Sequence, residues 1–288
     1  MPHDIGFVDN SSTLAHYAML EKIKDFASAN GWQILRYDDT VDNRELILKS
    51  AGYSGGEEIF IGLRTYQNAD ADYYNLIAGA FTGFVPGNSF DTQPGAALSG
   101  VPAHNQRIDY WLTINGQRLA GALKVGTPVY ESFYIGKFFP YARPNQYPYP
   151  VICAGMLNGT PATRFSDTAH SMPWKGSRAN LLMRFVDGAW RQPATYPWNN
   201  AYLAGVLAPG GQESSVAQLR DTGDNYPLIP VELMDTGGVY GYLDGIFHIA
   251  GFNNVVENTL TLAGDDYVVI QDVSRTGFND YFALKLDN

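Results

Sequence analysis

The sequence predicts an α+β fold that is mainly β: an N-terminal helix packed on a small antiparallel sheet, followed by a larger antiparallel β-sandwich or barrel-like unit. Three observations predict it. The chain carries Tyr 19, Phe 15, Gly 30 and Pro 16 in 288 residues, the composition of short aromatic strands joined by tight turns. A helical apolar period appears near the N-terminus, and Asn115-Gly116 stands between two strand-like runs, the strongest short hairpin signal.

The elements follow in order. Leu14, Tyr17, Ala18, Ile23, Phe26 and Ala27 recur near helical spacing behind Ser11-Ser12-Thr13, and Asn30-Gly31 supplies a left-handed stop. Trp32 to Tyr37, Glu45 to Lys49 and Ile59 to Tyr66 then read as an antiparallel meander, because Gly, Asn and Asp clusters separate them. Asp72 to Phe84 reads as a further strand or a short helix, its aromatic content favouring the strand. Val85 to Gln106, rich in Gly, Pro, Ser, Asn and Gln, reads as a long loop or a junction, so the expected units are residues 1–95 and 96–288. The hairpin of Ile108 to Ile114 and Gln117 to Val125 opens the second unit. Leu181 to Phe185, Val239 to Ile249, Thr259 to Leu262, Tyr267 to Val273 and Tyr281 to Leu286 supply its later strands.

Val129 to Pro150 is the most distinctive stretch. Its first half is a strand by composition, and its second half places Pro140, Pro144, Pro148 and Pro150 where a sheet cannot continue. Phe138, Phe139, Tyr141, Arg143, Tyr147 and Tyr149 are the candidate contact residues, since rings and Arg fixed by prolines make a preorganised interface. The alternative is that the rings plug the chain's own core.

Charge and motifs exclude several functions. A net charge of -10, with no Lys or Arg cluster, leaves no nucleic-acid footprint. No apolar run approaches the roughly 20 residues of a membrane span, and the start lacks a signal peptide, so a soluble product made in the cytoplasm is expected. The single Cys153 reads as a small buried hydrophobe, and the five histidines lack metal-ligand spacing, so no metal or cofactor is expected. Asp221-Thr-Gly and Asp235-Thr-Gly resemble aspartic protease loops, but triplets a dozen residues apart cannot come from two lobes, and turn chemistry accounts for both. Asp221-Thr-Gly-Asp224-Asn225 lacks the spacing and closing Glu of an EF-hand calcium loop. His170, in a polar cluster, reads as a loop residue bonded to its neighbours. No catalytic residue is assigned.

The run Tyr130 to Pro150 resembles a segment of virion structural proteins from bacteriophages with contractile tails. Glu58 to Tyr66 with Asp72-Tyr-Tyr-Asn75, and Gly241 to Ile249 through Asp280 to Leu286, share the resemblance. It implies a non-enzymatic virion component in the neck, the collar or tail-completion region joining head and tail. Its expected partners are copies of itself in a ring and neighbouring neck, sheath or tube proteins. A baseplate position is the alternative within that class, and a carbohydrate-binding or carbohydrate-active β protein is the competing class.

Overall fold

The computed structural model describes residues 2–141, 150–160, 162–167, 170–175, 180–198, 227–251, 254–277 and 279–286. In chain order the elements are β1 (His3–Val8), α1 (Ala15–Ala29), β2 (Gln33–Asp38), β3 (Glu45–Ser50), β4 (Ile59–Asn68), β5 (Tyr73–Phe81) and β6 (Ala97–Val101). Next come β7 (Ile108–Ile114), β8 (Arg118–Gly126), β9 (Val129–Lys137), β10 (Phe139–Pro140), β11 (Val151–Gly155), β12 (Leu157–Asn158), β13 (Asn180–Arg184) and β14 (Trp190–Arg191). The chain ends with β15 (Ala194–Tyr196), β16 (Ile229–Asp235), β17 (Gly238–His248), β18 (Thr259–Leu262), β19 (Asp265–Gln271) and β20 (Tyr281–Leu286).

Among the described residues the strand pairings are antiparallel and form three sheets. The first has the order β12-β6-β5-β4-β3-β2, the second β1-β7-β8-β9-β11-β13-β14, and the third β15-β16-β17-β20-β19-β18 with β10 paired to β17. The second sheet is the middle layer, as its side-chain alternation shows. Phe133, Ile135, Leu119 and Cys153 point into a core shared with the first sheet, while Tyr130, Tyr134, Ala120 and Ile152 point into a core shared with the third. A sheet buried on both faces needs buried residues at consecutive positions, and β9 supplies them with Phe133, Tyr134 and Ile135 in succession, while Glu131 and Ser132 are buried there as polar exceptions.

Helix α1 has no capping side chain at Leu14, its Ala15 amide donating instead to Asn105 Oδ1 at 3.0 Å, and ends at Asn30, with Gly31 at φ 85°. Ala15, Met19, Leu20, Ile23 and Ala27 are buried, and the helix touches β1 and β7 of the middle sheet as well as β2, β4 and β5 of the first. It therefore sits in a core common to both sheets rather than on the small sheet alone. Residues on both sides of position 95 share that core, and the strands cross over: β1 extends the middle sheet, whereas β6 and β12 complete the first.

The helix, the meander, the strand at Asp72 to Phe84 and the Asn115-Gly116 hairpin stand where the sequence placed them. The segment Val85 to Gln106 needs correction. It contains β6, which pairs with β5 from Ala80↔Ala97 to Leu76↔Val101. Small residues at Ala97, Ser99 and Gly100 hide the strand in the composition, yet let β11 and β12 approach closely; a Cβ on Gly155 would lie 2.8 Å from the Gly100 carbonyl oxygen.

Candidate functional site

The described end of the aromatic stretch separates into a buried part and an exposed part. Phe138 is 1% exposed and belongs to the core between the middle and third sheets, which removes it from the contact surface expected of it. Phe139 and Tyr141 are half exposed, at 50% and 53%. Arg143, Tyr147 and Tyr149 lie outside the described residues, as do Pro144 and Pro148.

Backbone pairing fixes the exposed rings. Phe139 and Pro140 pair with Tyr242 and Gly241, and the Tyr141 amide donates to the Tyr240 carbonyl at 2.9 Å. Gly241 permits this approach, because a Cβ there would fall 2.1 Å from the Phe139 carbonyl oxygen. The Phe139 ring stacks on Tyr242 with centroids 4.9 Å apart, and Tyr141 lies 5.9 Å from the same ring. The Tyr141 hydroxyl donates to Glu232 at 2.7 Å, and burial together with that carboxylate pushes its pKa up to about 12. The result is a ledge of three rings held by β10, β16 and β17.

Beside the ledge opens a cleft of about 330 Å³ between the loop at residues 51–58 and the end of β9. Gly52, at φ 64°, begins that loop in a conformation suited to glycine. Its position is tied to the hairpin turn, where Ser50 Oγ donates to the Gly116 carbonyl at 2.6 Å. Asn115 organises the same turn: its Oδ1 accepts from the Gln117 and Arg118 amides, its carbonyl accepts from Trp32 Nε1, and its Nδ2 donates to Asp244 Oδ2 at 2.7 Å. The polar floor is a chain of contacts. Lys137 Nζ pairs with Glu57 Oε1 at 2.7 Å, and Gln117 Nε2 donates to Glu57 Oε2 at 3.0 Å. Tyr53 stands at the mouth, 65% exposed, its hydroxyl pKa raised by partial burial and then by Asp244.

His170 lies outside the strands, as expected of a loop residue, but it is buried and bonded to a distant side chain rather than to its neighbours. His170 Nε2 lies 2.7 Å from Oε1 of Glu131, a residue of β9 that is 0% exposed. Burial pushes the Glu131 carboxyl up to about 7, against the opposing pull of His170. Asp272, also buried, accepts from the Met172 amide and from Lys175 and Arg275, while Arg275 donates to the His170 carbonyl at 2.9 Å. Sequence reasoning missed Glu131, since 39 positions separate it from His170 and nothing local marks the pair.

The remaining motifs have plain roles. Asp235 Oδ1 accepts from the Gly237 amide at 2.7 Å and the Tyr240 hydroxyl at 2.8 Å, so it closes the β16–β17 turn. Asp221, with Asp224, lies outside the described residues. Cys153 is buried, donates weakly to the Ala78 carbonyl, and has its thiol pKa raised by burial. Among the described residues no group of three or more His, Cys, Asp or Glu could hold a metal ion, and no helix is long and apolar enough to cross a membrane. No protein-family model matches the chain, and none of the curated proteins matches it in sequence.

Proposed function

We propose that this chain is a non-enzymatic structural component of a contractile-tailed bacteriophage virion, built into the neck between head and tail as one copy of a closed ring. The ledge of Phe139, Tyr141 and Tyr242 carries the reading. Large rings half exposed on paired strands lose little entropy on contact, and aromatic residues dominate the energetics of protein interfaces. A ring places the same surface on every copy, which suits a patch preorganised in the free subunit. In this reading residues 1–95 act as a tail-terminator-like part whose core is shared with the middle sheet, and residues 96–288 supply the contacts to neighbouring neck, sheath or tube proteins. The virion is the place of action, with assembly in the host cytoplasm.

Alanine at Phe139 and Tyr141 together tests it. The double variant is expected to fold as the parent does and to fail to join particles when it replaces the parent chain during phage growth. Normal incorporation would overturn the role of the ledge. Gene order discriminates the class: sheath, tube or head-completion genes alongside support the virion reading, and a polysaccharide-degradation cluster contradicts it.

A further inference from the structure

We propose that the cleft between Tyr53 and Phe139 is a binding site for one sugar ring of a neutral glycan. Its volume, about 330 Å³, falls within the roughly 300–1,000 Å³ of small-molecule sites. Its walls are aromatic. Tyr53 leaves 65% of its surface exposed beside the hairpin turn, where a Cβ on Gly116 would lie 3.5 Å from Tyr53 Cδ1, and Phe139 leaves 50% exposed while Tyr242 fixes its ring. Two exposed ring faces at one mouth offer apolar surface to a flat apolar face of a ligand.

The floor supplies the second half of the recognition. Gln117 lines the cleft, is 8% exposed, and has Nε2 committed to Glu57, while its buried Oε1 has no partner. An acceptor left bare in this way is costly and calls for a donor. Glu57 and Asp244 are each already oriented by a donor, Lys137 and Asn115, and a carboxylate has further lone pairs to accept with. The floor thus presents several acceptors with one ammonium.

Charge selects among ligands. An anion meets two carboxylates at the floor. An organic cation gains little, because Lys137 occupies Glu57 and the buried Arg118 guanidinium acts on the same Tyr53 hydroxyl as Asp244. A neutral ring whose hydroxyls donate to Gln117, Glu57 and Asp244, and whose C–H face rests on an aromatic wall, matches both halves. Phe139 belongs to both the cleft and the ledge, so a sugar and an adjacent subunit compete for it; Tyr53 and Gln117 are not part of the ledge, and the Tyr53 variants test the site in the free chain apart from the ring contact.

Saturation-transfer NMR on the full chain tests the proposal with D-glucose, D-galactose, N-acetyl-D-glucosamine and L-rhamnose as probes, and in a parallel arm with a neutral surface polysaccharide. At least one sugar is expected to bind, and Tyr53→Ala to weaken it roughly tenfold, equivalent to about 1.4 kcal/mol. Tyr53→Leu, which keeps bulk but removes the ring, should weaken binding as well if alanine disturbs the loop. Binding of polysaccharide but no monosaccharide would support the site with an extended glycan as its ligand, provided Tyr53→Ala abolishes it. Absence of binding in both arms, binding that both variants leave unchanged, or preferential binding of butylammonium would overturn the proposal.

Discussion

Replacing Glu131 by Gln is expected to remove a pH-dependent loss of stability that the parent chain carries in its core. The carboxyl is fully buried against His170, with Asp272 and Arg275 as the nearest other charged groups acting on it. Burial raises it from an ordinary 4.5 to about 7 in the folded chain. Below pH 4.5 the group is protonated whether the chain is folded or not, and its favourable contribution is complete. As pH rises, the unfolded chain ionises first, so stability falls until the folded-state carboxyl ionises near 7 and then levels. At about 1.36 kcal/mol per pH unit the loss is roughly 3 kcal/mol. Glutamine has nearly the same shape, still hydrogen-bonds and does not titrate. Urea denaturation at pH 5, 6, 7 and 8 should therefore give a parent curve that drops relative to the variant by roughly that amount, most of it before pH 7. Parallel curves would refute the reasoning, and so would a variant that loses stability at every pH.

Other outcomes follow from the same structure. Burial lowers His16 and His248 to about 3, so both stay neutral in the folded chain; this contribution is present above pH 6.5 and is lost as pH falls, by roughly 2 to 3 kcal/mol per ring at about pH 4.5. NMR titration should show neither ring charging down to pH 4.5 in the native state. Phe138→Ala should cost about 3 to 5 kcal/mol in urea denaturation, whereas Phe139→Ala should cost under about 1 kcal/mol, because only the first ring is enclosed. Asp235→Asn should leave the fold intact, since Asn closes the same kind of turn, and should change no peptidase or glycosidase readout.

What was legible in the sequence was local. Asn115-Gly116 announced its hairpin because the pair is common in tight turns, although neither residue takes the left-handed backbone that usually explains it; instead the Asn115 side chain accepts from the Gln117 and Arg118 amides and ties the turn to Asp244. The helix was legible from Leu14 to Ala27 because one face repeats every turn, although the side chain that takes its first amide, Asn105, comes from far along the chain. β1 escaped notice, since His3–Val8 has only Ile5, Phe7 and Val8 to mark it and earns its place by pairing with β7. β6 was hidden by small residues that close packing requires. The three-layer arrangement left its mark on β9 in Phe133-Tyr134-Ile135, consecutive rings and Ile that bury on both faces, but so short a run also suits a single thick core. The cleft could not be read at all, because Tyr53, Gln117, Lys137 and Asp244 come from four distant segments.

The ring assignment is tested most directly by a density map of the intact particle in which this chain is traced against its neighbours. Copies are expected closed around the tail axis at the neck, with Phe139 and Tyr141 of each copy covered by an adjacent subunit. A chain absent from the particle, scattered off the axis, or placed on it with both rings facing solvent would overturn the ring and the virion role.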